Sequence, residues 1–191
     1  MRPQTSHRNV ATPEAFILLV MFIVVEKTVH YSWCLGVDEE LQRIRSVADY
    51  QFGKGVGIAL FPKRVKIEYS RNTGRIRYVY LDGERLATLR PTDGLFSLSI
   101  KGASRILEKK ASARYVVAVR NDVSEIIKKG GDVFAAHVIK VDESIRARDE
   151  VIVTDENGSL LAVGRVLLCA AEMKAFKRGI AVKTRRGCNE S

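Results

Sequence analysis

Residues 130–165, GGDVFAAHVIKVDESIRARDEVIVTDENGSLLAVGR, constrain the fold of this chain more than any other stretch. They open on two glycines directly after a basic run ending Lys128-Lys129, where a backbone can turn with φ > 0 or admit a close neighbour. Three β-rich segments follow, at 134–141, 150–154 and 160–167. Asp155-Glu156-Asn157-Gly158 separates the last two, and a polar run ending in Asn-Gly between apolar strands is a strong hairpin signal. With a short helix before them and another predicted over 170–176, these segments read as a barrel of short strands.

Upstream, residues 64–100 read as an antiparallel meander. Val65, Ile67 and Tyr69 alternate with Lys66 and Glu68, then Arg71-Asn72-Thr73-Gly74 turns the chain, and Ile76, Tyr78 and Tyr80 alternate in their turn. Asp82-Gly83 and residues 91–94 supply turns before strands at 86–89 and 95–100, and a helix over 103–107 closes the unit. Residues 38–50 open it: Asp38 stands at an N-cap, acids fill the first turn, and Leu41, Ile44, Val47 and Ala48 recur at helical spacing, leaving Arg43 and Arg45 toward solvent. Gly53, Gly55 and Gly57 lack the GK[ST] ending and preceding strand of a phosphate-cradling loop, so 51–61 reads as a flexible connector. Residues 109–113 are small and polar, a linker into a strand at 114–119 and a helix over 123–129 with Asp122 as its N-cap. The fold class expected is α+β, with one α+β domain at 38–110 and a second, barrel-like domain at 114–187.

Residues 1–37 form an apolar N-terminal extension. Its run of eleven apolar residues, 15–25, lies between Glu14 and Glu26 and falls short of the roughly twenty that cross a bilayer. An accessory buried strand or helix is the first reading, an upstream start codon the second and a membrane segment the third. The chain carries 32 Lys and Arg against 22 Asp and Glu, a net +10, and the excess is +6 over 38–113 and +4 over 114–187. Basic charge spread over both domains suits a surface that follows a phosphate backbone, and equally a solvated basic face. Cys34, Cys169 and Cys188 show no metal-ligand spacing, and His7, His30 and His137 are scattered, so neither a zinc site nor a catalytic constellation is expected. A reducing cytoplasm fits the thiols.

The Gly131-Asp132-Val133 loop, Asp149-Glu150-Val151, Asn157-Gly158, Ala162-Val163-Gly164-Arg165 and Lys177-Arg178-Gly179 resemble, in that order, the PUA domain of pseudouridine synthases and archaeosine transglycosylases. Ala48-Asp49-Tyr50-Gln51-Phe52-Gly53, Asn72-Thr73-Gly74-Arg75-Ile76-Arg77, Tyr80-Leu81-Asp82-Gly83 and Asp93-Gly94 resemble the domain that precedes the PUA domain in archaeal tRNA-guanine transglycosylase. The resemblance implies a pre-PUA domain followed by a PUA pseudo-barrel. It also implies a cytoplasmic, non-catalytic protein that binds structured RNA, transfer RNA in particular, as the tRNA-binding subunit of a split archaeosine enzyme with a separate catalytic subunit. No cofactor, metal or membrane partner is expected. The alternative is a protein-interaction or structural partner in an RNA-modification or ribosome-related complex without direct RNA contact.

The residues expected at RNA are Lys128, Lys129, Gly130, Gly131, His137, Arg165, Lys177, Arg178, Lys183 and Arg185. The final strand is expected to pair near the opening strand of the barrel and so to bring its charges to the 128–131 loop. Gly131→Val is expected to weaken RNA binding more than stability. The sequence departs from many PUA domains after Gly-Asp-Val, where Ala135-Ala136-His137-Val138 replaces a small residue, Pro and Gly. His137 then either reaches phosphate or base, or sits partly buried in the barrel.

Overall fold

The computed structural model describes residues 39–109 and 114–190. The apolar run at 15–25, Asp38 and most of the 109–113 linker lie outside these residues. Among the described residues no helix is long and apolar enough to cross a membrane. Both sheets described below belong to one compact unit, Arg43–Ser191.

The first domain opens with α1, residues 39–52, which buries Ile44, Ala48 and Phe52 at the spacing the sequence predicts. The expected connector after it is instead a turn into a second helix, α2 (Val56–Leu60), with Val56, Leu60 and the following Phe61 buried. Gly57 makes this packing possible, because a Cβ there would stand 2.3 Å from the Arg45 carbonyl oxygen. The two helices are clasped by Asp49 Oδ1, which accepts from the Gly57 N–H at 2.6 Å, and by Arg45 Nε, which donates to the Phe61 carbonyl at 2.8 Å. Arg45 is therefore half-buried and engaged, whereas Arg43 faces solvent as expected.

The meander follows as β1 (Lys66–Tyr69), β2 (Ile76–Leu81), β3 (Glu84–Leu89) and β4 (Phe96–Leu98), antiparallel in that order, and α3 (Ile100–Glu108) packs on it. Phe61 and Phe96 meet in the core with ring centroids 5.1 Å apart. Ser99 caps α3, its Oγ accepting from the Gly102 N–H at 3.0 Å.

The second domain is a six-stranded sheet in the order β6-β10-β9-β8-β5-β7. Its strands are β5 (Val116–Val119), β6 (Val133–Phe134), β7 (Val138–Val141), β8 (Glu150–Thr154), β9 (Leu160–Val166) and β10 (Ile180–Gly187). All neighbours are antiparallel except β5 and β8. The outermost strands β6 and β7 are joined by only the 3₁₀ turn Ala135–His137, a length that spans about 10 Å at most. The two edges of the sheet are therefore brought together, and the sheet curls into a pseudo-barrel around Val117, Val119, Val133, Val151, Val153 and Val182. The predicted continuous strand at 134–141 is broken by that turn, because its two halves belong to opposite edges.

Two short helices complete the domain, α4 (Ser124–Lys128) and α5 (Ala170–Ala175). Asp122 does not cap α4 as the sequence suggests; it lies in a 3₁₀ turn, Asn121–Val123, and its carboxylate pairs with Arg120.

Candidate nucleic-acid interface

The 128–135 segment runs antiparallel along β10 and is tied to it at each step. Beyond α4, the Gly130 N–H donates to the Ile127 carbonyl and the Gly131 N–H to the Ile126 carbonyl, each at 3.0 Å, with Gly130 at φ 94°. This pair of bonds is a Schellman cap, so the two glycines terminate α4 in addition to any role toward a ligand. Asp132 then accepts from Lys183 Nζ at 2.8 Å and from the Thr184 N–H at 3.0 Å, while Thr184 Oγ1 donates to the Gly131 carbonyl at 2.7 Å. Further on, Phe134 pairs with Ile180, and the Ala135 N–H donates to the Gly179 carbonyl at 2.9 Å.

This register distributes the expected site residues along one edge. Lys128 and Lys129 lie at the Gly187 end, where the Lys128 carbonyl accepts from the Asn189 N–H at 3.0 Å. Lys183 lies midway. Lys177 and Arg178, both exposed, occupy the turn before β10, next to the Ala135–His137 turn. From Ile180 to Gly187 is about 23 Å at the rise of an extended strand. The expected gathering of all these charges at the 128–131 loop is therefore corrected. β10 pairs with β6 and β9 rather than with the opening strand β5, so only Lys183 meets the loop, through Asp132.

His137 is half-buried and edge-on to Phe134, ring centroids 6.3 Å apart, and its Nδ1 is buried without a hydrogen-bond partner among the described residues. Phe134 and Phe176 are exposed near this end, and α5 lies against the His137 turn. Lys128 pairs with Glu125 at 2.8 Å, whereas Lys129, Lys177 and Arg178 engage no carboxylate among the described residues.

Arg165 and Arg185 turn toward the first domain. Arg165 Nε donates to the Arg148 carbonyl at 3.1 Å, and its guanidinium stands 3.8 Å from Asp93. Arg185 donates both to the Leu98 carbonyl and to Glu150, while Glu150 accepts from the Leu98 N–H at 3.0 Å. The Glu150-Arg185 pair thus supplies an acceptor and a donor to Leu98 of β4, the work a neighbouring strand would do at that sheet edge. Gln51 does the same for Phe96, accepting from its N–H at 2.7 Å and donating to its carbonyl at 2.9 Å. Burial pushes the Glu150 carboxyl up from its ordinary value, against the opposing pull of Arg185 and the Leu98 N–H. Sequence reasoning places Glu150 only at a strand start and Arg185 only at RNA. The available signal was a lone carboxylate in the otherwise uncharged strand Glu150–Thr154, which is buried throughout.

Residues 42–112 match the family described as the patch-forming domain C2 of tRNA-guanine transglycosylase, and residues 115–188 match the PUA domain. The tRNA-guanine(15) transglycosylase of Methanothermobacter thermautotrophicus is 46% identical over 149 residues, which cover 78% of this chain and 23% of the relative. That of Thermococcus kodakarensis is 43% identical over 149 residues, covering 78% and 25%. The chain thus spans about a quarter of the length of these curated relatives. Among solved structures, a hypothetical protein of Pyrococcus horikoshii superposes with a TM-score of 0.64 at 21% identity, covering 80% of this chain and 92% of that one. A conserved PUA domain protein of Thermoplasma acidophilum gives 0.58 at 23% identity, covering 80% and 91%. These likenesses show the fold, α+β with a PUA pseudo-barrel. The chain carries a PUA domain and, before it, a domain of the tRNA-guanine transglycosylase C2 type, and across both it resembles the C-terminal region of archaeal tRNA-guanine(15) transglycosylases.

Proposed function

We propose that this protein is a non-catalytic, cytoplasmic RNA-binding protein that holds structured RNA, specifically transfer RNA, along the β10 edge of its PUA domain. It acts as the tRNA-binding subunit of a split archaeosine tRNA-guanine transglycosylase, with the chemistry on a separate polypeptide. Its working parts are the domains at 38–110 and 114–187. The observation that carries this reading is 46% identity to an archaeal tRNA-guanine(15) transglycosylase over a stretch that excludes most of that enzyme. The edge itself supports it. Lys129, Lys177 and Arg178 are exposed, Lys128 and Lys183 stand beside them, and exposed Phe134 and Phe176 offer rings on which unpaired bases can stack. Gly130, Gly131 and His137 shape the loop and turn that present these side chains. Arg165 and Arg185 serve by holding the first domain in place.

Reconstitution tests the proposal. The purified chain is added to an archaeal transglycosylase truncated before its C2 domain, and guanine exchange into a transfer RNA transcript is followed together with RNA affinity. Restored exchange and tight, salt-sensitive transcript binding are expected. Capture of the truncated enzyme without any RNA affinity would favour the protein-interaction role instead.

A further inference from the structure

A cleft of about 200 Å³ opens where β4 meets the end of β10. Its walls are Arg85 and Thr88 of β3, Ser97 of β4, the α3 cap Ser99, and Arg185 and Arg186 of β10. Thr88 and Ser97 are directly opposed in the β3–β4 ladder, so their side chains share a face. Neither hydroxyl has a hydrogen-bond partner among the described residues. Arg85 and Arg186 are both exposed and without a carboxylate partner among the described residues. The Arg85 guanidinium carbon sits 5.7 Å from the Tyr78 ring centroid. Against these three guanidiniums stand two carboxylates: Glu150, already committed to Arg185 and Leu98, and Glu190, which accepts from the Gly187 N–H at 3.0 Å.

The cleft is smaller than the roughly 300 Å³ at which small-molecule sites begin. It therefore suits a single anionic group rather than a whole cofactor. Guanidinium forks with nearby hydroxyl donors match a phosphate in charge and geometry. Its location adds a direction. Glu190 lines the cleft and also faces Gly130, its carboxyl carbon 3.5 Å from where a Cβ on that glycine would lie, so the cleft adjoins the Lys128–Lys129 end of the β10 edge. On its other side lie Tyr78, opposed to Thr88, and Arg77, whose Nε donates to the Tyr78 hydroxyl at 3.0 Å.

We infer that this cleft binds a phosphate of an RNA backbone and carries the interface from the PUA domain across the junction onto the preceding sheet. The inference rests on the RNA-binding function proposed above. Glu190 opposes the anion and moderates its affinity. The test uses the full 191-residue chain and a transfer RNA transcript, with affinity measured over a salt series for wild type, Arg85→Ala/Arg186→Ala and Glu190→Gln. In parallel, the arginine Nε–H resonances of the wild type are followed as inorganic phosphate is added. Loss of the one phosphate held by both arginines should weaken binding about tenfold and make the log-log salt slope shallower by roughly 0.7–0.9. Glu190→Gln, which keeps the acceptor for Gly187, should tighten binding by about twofold or more. Phosphate should shift the Arg85 and Arg186 resonances. Wild-type affinity and slope in the double variant would overturn the cleft while leaving RNA on the β10 edge. Phosphate shifts with an unchanged RNA slope would overturn RNA as the occupant and assign a free anion. Absence of transcript binding by wild type would overturn the RNA reading itself.

Discussion

A Cβ added at Gly131 would stand 2.6 Å from Ile126 Cγ2 and 2.8 Å from the Ile126 carbonyl oxygen. Gly131→Val therefore overpacks the α4 cap and should cost about 2 kcal/mol, read as a lowered midpoint in denaturant melts. This reverses the expectation from sequence that RNA affinity would suffer first. A glycine pair after a basic run looks the same whether its smallness serves a ligand or a neighbouring carbonyl. Glu150 poses a comparable problem, since a carboxylate in a strand declares nothing about a partner at position 98. Glu150→Ala leaves the Leu98 N–H unpaired and Arg185 without its carboxylate; because Arg185 is 42% exposed, the cost should be about 2–3 kcal/mol rather than that of a fully buried pair. Glu150→Gln keeps an acceptor and should cost less. The raised carboxyl also sets a sign for pH. The folded state holds this proton more tightly than the unfolded chain does, so the contribution of Glu150 is most favourable below its ordinary value of 4.5 and declines as pH rises through the raised one. Comparison of stability against pH for wild type and Glu150→Gln checks this: the difference between the curves should change across that window, and a constant offset would contradict it.

At the scale of elements, the periodicities that read clearly are those whose partners lie nearby in the chain. The β1–β4 meander and the β8–β9 hairpin emerge where alternation and turn residues place them, because adjacent antiparallel strands need only a local turn. The segments that read poorly are settled by distant contacts. Residues 134–141 alternate like one strand, yet β6 pairs with β10 and β7 with β5, and closure of the barrel forces the 3₁₀ turn between them. Gly53, Gly55 and Gly57 suggest a loose connector, yet α2 forms there because Val56, Leu60 and Phe61 enter the same core as Phe96. Capping follows the same division: Asp122, read as a cap from the sequence, pairs with Arg120, whereas Ser99, within a predicted strand, caps α3. Removing the Ser99 hydroxyl leaves the Gly102 N–H without its partner, and Ser99→Ala should cost about 1 kcal/mol in thermal or denaturant unfolding.

For the whole molecule, residue types and order were enough to indicate a PUA domain, whereas the layout of the basic residues along its proposed RNA edge required the register of β10. Charges read as one cluster are spread from Lys128 and Lys129 at one end, through Lys183, to Lys177 and Arg178 at the other. An extended row of this kind suits a backbone tracked over several phosphates, and its affinity must depend on salt in proportion to the contacts made. The deciding measurement is the salt dependence of transfer RNA transcript binding for three proteins: wild type, Lys128→Ala/Lys129→Ala/Lys177→Ala/Arg178→Ala, and Arg71→Ala/Arg75→Ala/Arg77→Ala. The β10-edge set should lower affinity for all transcripts about uniformly and make the slope shallower by roughly 3, about 0.7–0.9 for each of the four lost contacts, with a smaller change for the hairpin set. An unaltered slope in the β10-edge set, with a shallower one in the hairpin set, would put the RNA on the first domain and contradict the assignment.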